Sequence, residues 1–461
     1  MKMALKRRLR LGFRFGRYFT TARVLVIGFL LLITLGTWLF TFPESSTGEP
    51  LSLIDAAFTA TSAVCVTGLT VIHAGKDLTF FGQIVLMVLI QIGGLGFMTM
   101  TTFIFILMGR RISLKERMTL QDALGESGIS GIVALVRRIL YMTFAIEGIG
   151  ALVLSTRFIP MYGLKNGIYY SIFHSISSFC NAGFDLFGGL ESTVFTNDVV
   201  INLGLMSMII LGGLGYGVMF DIMKHKSFDK FSLQTKIVLI TSGALTLFGM
   251  LLIMLFDWNN PESLARENVN IWARPMAALF QSVSTRTAGM ATTPQAGWSE
   301  GTRIISIILM TIGASPGSTG GGIKTTTIAL VVLFIIMTIR GRDEISVFKR
   351  SISNKSAARA ITIVFIYIMV ILACTVLLSF ETMSEGSQIT GSDLLFEVVS
   401  GIATVGLSVG ITPMLGTLSK ITIMLIMFAG RLGPLTIALA LTRVHPEENK
   451  IRYPEGRLMI G

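Results

Sequence analysis

Charge is scarce in this chain, and apolar residues take its place. Of 461 residues only 14% are charged, against roughly a quarter in an ordinary soluble domain. Hydrophobic residues make up 52% of the chain, and the mean hydropathy is +0.72. This composition excludes a soluble globular enzyme, a disordered chain and a fibrous protein.

Cysteine and histidine are also few, and they form no recognisable site. Cys65, Cys180 and Cys374 are odd in number and lack metal-ligand spacing. The four histidines include no HExxH pair, which argues against a zinc intramembrane protease. The sequence has no Walker loop, and no small-residue cleavage site follows its basic N-terminus, so we expect neither ATP hydrolysis nor a signal peptide. We predict no covalent cofactor and no enzymatic activity.

Long apolar runs are what the sequence contains instead. Eight segments reach the length of about 20 residues that a helix needs to cross a bilayer. They predict an all-α polytopic membrane protein with spans at 22–42, 79–108, 132–156, 197–223, 233–256, 303–340, 357–380 and 418–442. The sixth span is too long for one straight helix, and the glycine-rich stretch 313–322 interrupts it.

The net charge of +12 predicts an orientation in the membrane. Residues 1–23 carry eight basic residues and no acidic one, and basic residues recur after the second, fourth and sixth spans. The segment 381–397 has four acidic residues and no basic one. By the positive-inside rule, both termini are expected in the cytoplasm of a cell (plasma) membrane, with the basic face against acidic lipid. The excess charge therefore predicts no nucleic-acid partner.

The connections on the predicted outer side contain four copies of one pattern. In three copies a phenylalanine is followed by a serine at +4 and a glycine at +10, and in the third copy the glycine comes one residue earlier. The copies are Phe58/Ser62/Gly68, Phe173/Ser177/Gly183, Phe280/Ser284/Gly289 and Phe396/Ser400/Gly406. They predict an internal repeat of span, re-entrant pore helix, glycine-ended loop and span. Irregular backbone survives in a membrane only when buried or lining water, so the four loops should meet at one central pore.

Backbone chemistry at that axis favours a cation. Short helices that stop inside the membrane direct partially negative C-terminal ends toward the axis. Glycine lets the adjacent carbonyls face the axis, where a ring of oxygens replaces the hydration shell of a cation. The predicted filter segments are Val66, Thr67 and Gly68; Asn181, Ala182 and Gly183; Thr287, Ala288 and Gly289; and Thr404, Val405 and Gly406.

Several motifs resemble the Trk/Ktr/HKT superfamily of potassium transporters, and most closely its Ktr-type membrane subunits. They are VTGL (66–69), QIGGLGFMT (91–99), CNAGF (180–184), TRTAGM (285–290), SPGSTGGGIKTTT (315–327), TVGL (404–407), GRLGPLT (430–436) and IRYPEG (451–456). The resemblance implies the K⁺-conducting subunit of a regulated uptake system, with K⁺ as substrate and Na⁺ as activator. It also implies a homodimer and a KtrA-type cytosolic ring of regulatory subunits, which would carry the nucleotide. Gly68 favours K⁺, since family members with serine there tend toward Na⁺.

The glycine-rich loop 313–322 is predicted to act as a gate below the filter. A loop of this kind can block the path in one state and move aside in another, and the resemblance implies this use. Arg431 is expected to face the pore beside the loop as an electrostatic barrier. The predicted gate residues are Gly313, Ser315, Pro316, Gly317, Ser318, Thr319, Gly320, Gly321, Gly322, Lys324 and Arg431. A pairing of Glu397 with Arg286 would resolve the burial of both charges, and QIGGLGF (91–97) and LGGLGYG (211–217) are interpreted as helix-packing segments.

The predicted organisation leaves two alternatives to weigh. It consists of a basic tail (1–21), pore repeats at 22–108, 132–223, 233–340 and 357–442, and a C-terminal tail (443–461). One alternative is an ion-coupled secondary transporter of another solute with broken helices, but such folds usually have two inverted repeats with half-helix N-termini at an anionic substrate. Parallel repeats with C-terminal ends inward argue against it. The other is a membrane-embedded enzyme, for which the sequence offers no convergent His/Asp/Glu cluster.

Overall fold

The structure, a computed structural model, describes residues 21–96, 99–100, 102, 131–187, 193–342, 344–384 and 389–433. The chain is mostly helical in these ranges. In chain order the helices are α1 (Thr21–Phe40), α2 (Leu53–Cys65), α3 (Ala74–Asp77), α4 (Phe80–Leu95), α5 (Ile132–Phe179), α6 (Thr193–Asn197), α7 (Val199–Leu214), α8 (Tyr216–Lys224), α9 (Leu233–Asp257), α10 (Ala273–Ser284), α11 (Glu300–Thr311), α12 (Thr325–Ile339), α13 (Asn354–Ser384), α14 (Gly391–Ile402) and α15 (Thr417–Leu432). Short 3₁₀ turns occur at Pro43–Ser45, Phe228–Lys230, Gln295–Gly297 and Thr412–Met414. Residues 1–20 of the predicted N-terminal tail (1–21) and the whole predicted C-terminal tail (443–461) lie outside the described residues.

Within the described ranges, four helices, α1, α5, α9 and α13, are long and apolar enough to cross a membrane. Only 17–33% of the apolar stretch in each is buried, so these helices present a wide apolar outer surface that suits lipid. Three of them match the predicted spans closely. α5 differs, because it continues beyond residue 156 to Gly163, where non-helical dihedrals (φ 79°, ψ 167°) separate its outer part from a short second part, 164–179.

The predicted span 197–223 is a bent pair of helices, so the prediction of one straight helix there is wrong, whereas the predicted interruption of the sixth span at 313–322 is present. α7 and α8 meet at an angle of 97°, because Gly215 between them has φ 90° and ψ 141°. Gly96 after α4 and Gly433 after α15 have nearly the same dihedrals. In the third repeat the glycine-rich loop separates α11 from α12. A residue with φ near +90° cannot continue a right-handed helix, and glycine takes this conformation most readily.

Short helices fill the centre of the molecule. They are α2, the second part of α5, α10 and α14, and their C-terminal halves are almost wholly buried. Local sequence explains where two of them begin. Ser52 and Thr390 cap the first turns of α2 and α14, and an aspartate three residues later (Asp55 and Asp393) bonds back to the capping hydroxyl. The four short helices are thus surrounded by the long apolar ones.

A small hairpin qualifies the all-α prediction. Strands β1 (Ile345–Val347) and β2 (Arg350–Ile352) pair antiparallel. Phe348 and Lys349 between them both have positive φ, as a two-residue hairpin turn that follows strand twist requires. Lys236 at the start of α9 lies 5.4 Å from the centre of the Phe348 ring, and this contact holds the hairpin against the helix.

Candidate functional site

The four predicted filter segments share one backbone conformation. The residue two positions before each glycine is left-handed, with φ between 51° and 73°, and each glycine has φ between 70° and 94°. The left-handed residues are Val66, Asn181, Thr287 and Thr404. Positive φ is uncommon outside glycine and unfavourable for a β-branched residue. Its recurrence in all four segments means that the short helices end in the same turn, including the third, whose spacing is one residue shorter.

The serine of each copy fixes this turn. The carbonyl of Ser62 accepts from Thr67 N at 2.8 Å, and its hydroxyl accepts from Gly68 N at 3.0 Å. Ser400 makes the equivalent pair of contacts, at 2.8 and 3.0 Å. In the other two copies the hydroxyl instead donates to the carbonyl after the glycine, from Ser177 to Phe184 and from Ser284 to Met290. A serine at this position therefore ties every filter segment to its own helix.

The four glycines form a closed ring. A methyl group added to any of them would meet the carbonyl oxygen that precedes the next glycine around the ring. The four contacts are those of Gly68 with Ala182, Gly183 with Ala288, Gly289 with Val405 and Gly406 with Thr67. The separation from the added methyl is 2.5 Å for the first of these and 3.0 Å for the second. Segments that are more than a hundred residues apart in the chain thus meet in one ring, in which a carbonyl of each segment contacts the glycine of a neighbouring one.

A cavity of about 410 Å³ lies on one side of the ring. All four glycines line it, together with polar groups that include His73, Asp185, Gln295 and Ser408. The ring therefore opens into a polar chamber on the predicted outer side.

The glycine-rich loop packs against the other side of the ring. A methyl group on Gly320 would collide with the hydroxyl of Thr287, and one on Gly321 would collide with that of Thr404. Both threonines are the left-handed residues of their filter segments. Glycine is required at these two loop positions because no side chain fits between the loop and the filter.

Hydrogen bonds hold the loop to the broken helix α7/α8. Ser315 N donates to Gly213 O at 3.0 Å, Thr319 N donates to Gly212 O at 3.2 Å, and Tyr216 N donates to Gly317 O at 3.0 Å. The Thr319 hydroxyl adds a bond to the carbonyl of Phe179 at 3.1 Å. The bend at Gly215 exposes the carbonyls and N–H group that make this junction.

Some hydroxyl groups of the glycine-rich loop have hydrogen-bond partners and one has none. Ser315 accepts from the hydroxyl of Thr325 at 3.1 Å, and Thr319 is bonded as described above, so two of the three hydroxyl groups of the loop have partners. The hydroxyl of Ser318 is buried and has no hydrogen-bond partner among the described residues. Pro316 lies beside the bend between α7 and α8. Its carbonyl oxygen would be 2.5 Å from a methyl group added to Gly215.

Two cations lie beside the loop and bond to backbone carbonyls. Lys324 Nζ donates to Gly320 O at 2.7 Å. Arg431 donates to Thr319 O from Nη1 and to the carbonyls of Gly93 and Gly94 from Nη2. Neither cation pairs with a carboxylate within the described ranges. Arg431 thus links the loop to α4, and its charge remains unneutralised near the axis.

The recurrence of QIGGLGF and LGGLGYG was visible in the sequence, but a third copy and the way these segments end helices were missed. GGLG (93–96), GGLG (212–215) and GRLG (430–433) lie at the C-terminal ends of α4, α7 and α15, and each helix ends before the last glycine. The first glycine packs against a carbonyl of the short helix in the same repeat, that of Val64, Phe179 or Ile402. Aligning the three segments would have revealed this, and would have placed Arg431 where the other copies have glycine. Packing alone, as predicted, is an incomplete account of these glycines.

The predicted pairing of Glu397 with Arg286 is wrong. Glu397 accepts from the hydroxyls of Ser408 and Thr412. Arg286 donates to the carbonyl and hydroxyl of Ser242 at 3.1 and 3.0 Å. Glu397 has hydroxyls from the loop and 3₁₀ turn that follow α14, and Arg286 has the carbonyl and hydroxyl of Ser242 on α9, so neither charge needs an ion pair.

Comparisons with known proteins agree with this architecture. The family model "TrkH: Cation transport protein" matches residues 19–453. Ktr system potassium uptake protein B of Bacillus subtilis is 41% identical over 96% of this chain and 97% of its own length. The potassium/sodium uptake protein NtpJ of Enterococcus hirae is 37% identical over 95% and 97%. The crystal structure of the potassium transporter TrkH from Vibrio parahaemolyticus shares the fold, with a TM-score of 0.71 and 19% identity over 91% of this chain and 84% of that one.

The class of protein follows from the apolar outer helices, the central ring and these matches. The molecule is a multi-pass membrane transport protein and not an enzyme. The chain belongs to the TrkH family of cation transport proteins, which confirms the family predicted from the sequence motifs.

Proposed function

We propose that the chain is the ion-conducting transmembrane subunit of a regulated potassium uptake system. The closed ring of four glycine segments carries this proposal, because it surrounds one axis with backbone carbonyls. Such a ring suits a dehydrated alkali cation, and the C-terminal ends of four short helices add partial negative charge around it. The potassium uptake named in the relatives' descriptions supplies K⁺ as the cargo.

The proposed path runs from the polar chamber, through the ring, to the glycine-rich loop. The filter consists of the twelve residues of the four segments, each segment belonging to one span–loop–span repeat. The loop acts as the gate, because it packs directly against Thr287 and Thr404 and rests on a few hydrogen bonds that can be exchanged. Lys324 and Arg431 add positive charge beside the loop and so raise the barrier for a cation when the loop is in place.

The proposed assembly follows the Ktr systems named among the relatives. A KtrA-type cytosolic ring with a bound nucleotide regulates a homodimer of this chain, and Na⁺ stimulates K⁺ uptake. The word "system" in the names of two relatives supports a partner subunit, and the naming of both potassium and sodium in another supports a role for Na⁺. The basic segments support cytoplasmic termini in a plasma membrane with acidic lipids.

Rubidium uptake into proteoliposomes tests the proposal. The purified chain, reconstituted with its regulatory ring, should take up radioactive rubidium down its gradient, and unlabelled K⁺ should compete better than Na⁺. Liposomes that contain the regulatory ring without the transmembrane chain provide the control. Uptake that requires the gradient of a second solute would favour the secondary transporter. No uptake in the presence of the regulatory ring would exclude a K⁺ pathway.

A further inference from the structure

A second cavity, of about 340 Å³, lies between α7 and α9. Its walls are mostly apolar and include Ile209, Leu239 and Val283. Two other lining residues, Ile210 and Leu247, are 43% and 60% exposed, so the mouth of the cavity opens on the apolar outer surface. A ligand that reaches this cavity through its mouth therefore comes from the hydrocarbon of the bilayer.

The side chain of Arg286 gives this apolar cavity a positive end. Its guanidinium group bonds to Ser242 and approaches the hydroxyl of Thr246 at 3.5 Å. A guanidinium has five N–H donors, and these acceptors leave one N–H group of Nη2 unused; the Nε atom is itself buried and has no partner among the described residues. No carboxylate of the described chain contacts the group. A buried charge without a counter-ion is costly, which makes an anionic ligand favourable here.

We propose that this cavity binds a free fatty acid, with its carboxylate on Arg286 and its acyl chain along the walls toward Ile210 and Leu247. A carboxylate matches the planar donor edge of a guanidinium, and the remaining lining is apolar. The volume is at the lower end of the range of about 300–1,000 Å³ for small-molecule sites, which suits one chain rather than the two chains and phosphate of a phospholipid.

The site is adjacent to both the filter and the loop. Arg286 precedes Thr287 of the third filter segment, and Ala314 of the glycine-rich loop lines the cavity. Gly213, another lining residue, accepts from Ser315 N of the loop. A bound fatty acid would neutralise a cation behind the filter and contact the loop. This consequence for gating rests on the proposed function, whereas the binding site does not.

Gly243 allows the cavity to be filled without disturbing its surroundings. It lines the cavity, and a methyl group added to it would meet no atom within 4 Å. Gly243→Leu therefore occupies the space of the acyl chain. Gly148→Leu is the matched control, because Gly148 also lies on a long outer helix with open space at its Cβ but does not line the cavity. Thermal unfolding of both variants checks that they fold.

The experiment photolabels the full chain in neutral phosphatidylcholine vesicles with a photoactivatable palmitate. We expect labelled peptides from α7 and α9, suppression by oleate but not by methyl oleate or inorganic phosphate, and loss of labelling in Gly243→Leu only. Arg286→Gln should weaken competition by oleate about tenfold, since it removes a charge-assisted pair, and leave methyl oleate unchanged. Equal competition by methyl oleate, protection by phosphate, or full labelling of Gly243→Leu would overturn the proposal. Because no transport is measured, the outcome is independent of the ion that the protein carries.

Discussion

The four ring glycines differ in the space that a Cβ atom would have at each position. A methyl group would collide with the neighbouring carbonyl at Gly289 and Gly406, would lie 2.5 Å from it at Gly68, and would lie 3.0 Å from it at Gly183. All four also have the positive φ that favours glycine. The positions are therefore equivalent in conformation but unequal in tolerance.

Glycine-to-alanine substitutions should follow this order. We expect Gly289→Ala and Gly406→Ala to displace a carbonyl of the adjacent segment and to abolish discrimination between K⁺ and Na⁺, while Gly183→Ala retains the most. Competition of rubidium uptake by the two ions measures this. The same substitution at Gly217, where the added methyl has open space, is the control. Unchanged selectivity in all four ring variants would refute the filter assignment.

Arg431 is the residue whose loss should most affect the loop. Its bonds to Thr319, Gly93 and Gly94 connect the loop to α4. We expect Arg431→Gln to raise unstimulated rubidium uptake about ten- to hundredfold, because a charge-assisted bond is worth roughly 1.5–3 kcal/mol and one such bond biases a closed loop by that amount. Arg359→Gln, on the exposed side of α13, should leave uptake unchanged. Reduced uptake in Arg431→Gln would contradict a barrier role.

At the scale of elements, the glycine-rich loop packs closely against the filter segments because its contacting residues are glycines. Gly320→Ala should push the loop away from Thr287 and so increase uptake in the absence of the regulatory ring. Faster labelling of a cysteine introduced at Ser318 by a thiol reagent from the cytoplasmic side would report the displacement, in a background where Cys65, Cys180 and Cys374 are replaced. An unaltered labelling rate would show that the contact does not hold the loop.

Two ion pairs join elements of different predicted repeats. Lys420 of α15 bonds to Asp55 of α2 at 2.9 Å, and Arg303 of α11 bonds to Asp393 of α14 at 3.2 Å. In both cases the basic residue lies on a broken helix and the acid lies in the first turn of a short buried helix. The pairs therefore fix each short helix against the neighbouring repeat.

Reversal of charge tests the first pair. Lys420→Glu should lower the melting temperature by about 1 °C, as expected for a loss near 1 kcal/mol in a chain of 461 residues, and Asp55→Lys in the same chain should restore part of it. Arg157→Glu gives a comparison, because Arg157 is 48% exposed in its pair with Asp198 and should matter less. A double variant less stable than Lys420→Glu would argue against a direct interaction.

At the scale of the whole molecule, patterns that recur in the sequence were predictable and contacts between distant segments were not. The serine and glycine spacing located all four turns, and hydropathy located the outer helices α1, α9 and α13. The breaks after α4, α7 and α15 were missed, because leucine and glycine in an apolar run read as continuous helix. The partners of Arg286 and Glu397 were also missed, since hydroxyls and carbonyls on other helices have no signature in the sequence.

The central claim is that the four glycine segments coordinate a cation with their carbonyls. Anomalous diffraction from crystals grown in rubidium tests it most directly. We predict a peak on the axis, within coordination distance of the carbonyls of Thr67, Ala182, Ala288 and Val405, that disappears when rubidium is replaced by lithium. Rubidium bound elsewhere along the axis, with none at the ring under the same conditions, would contradict the claim.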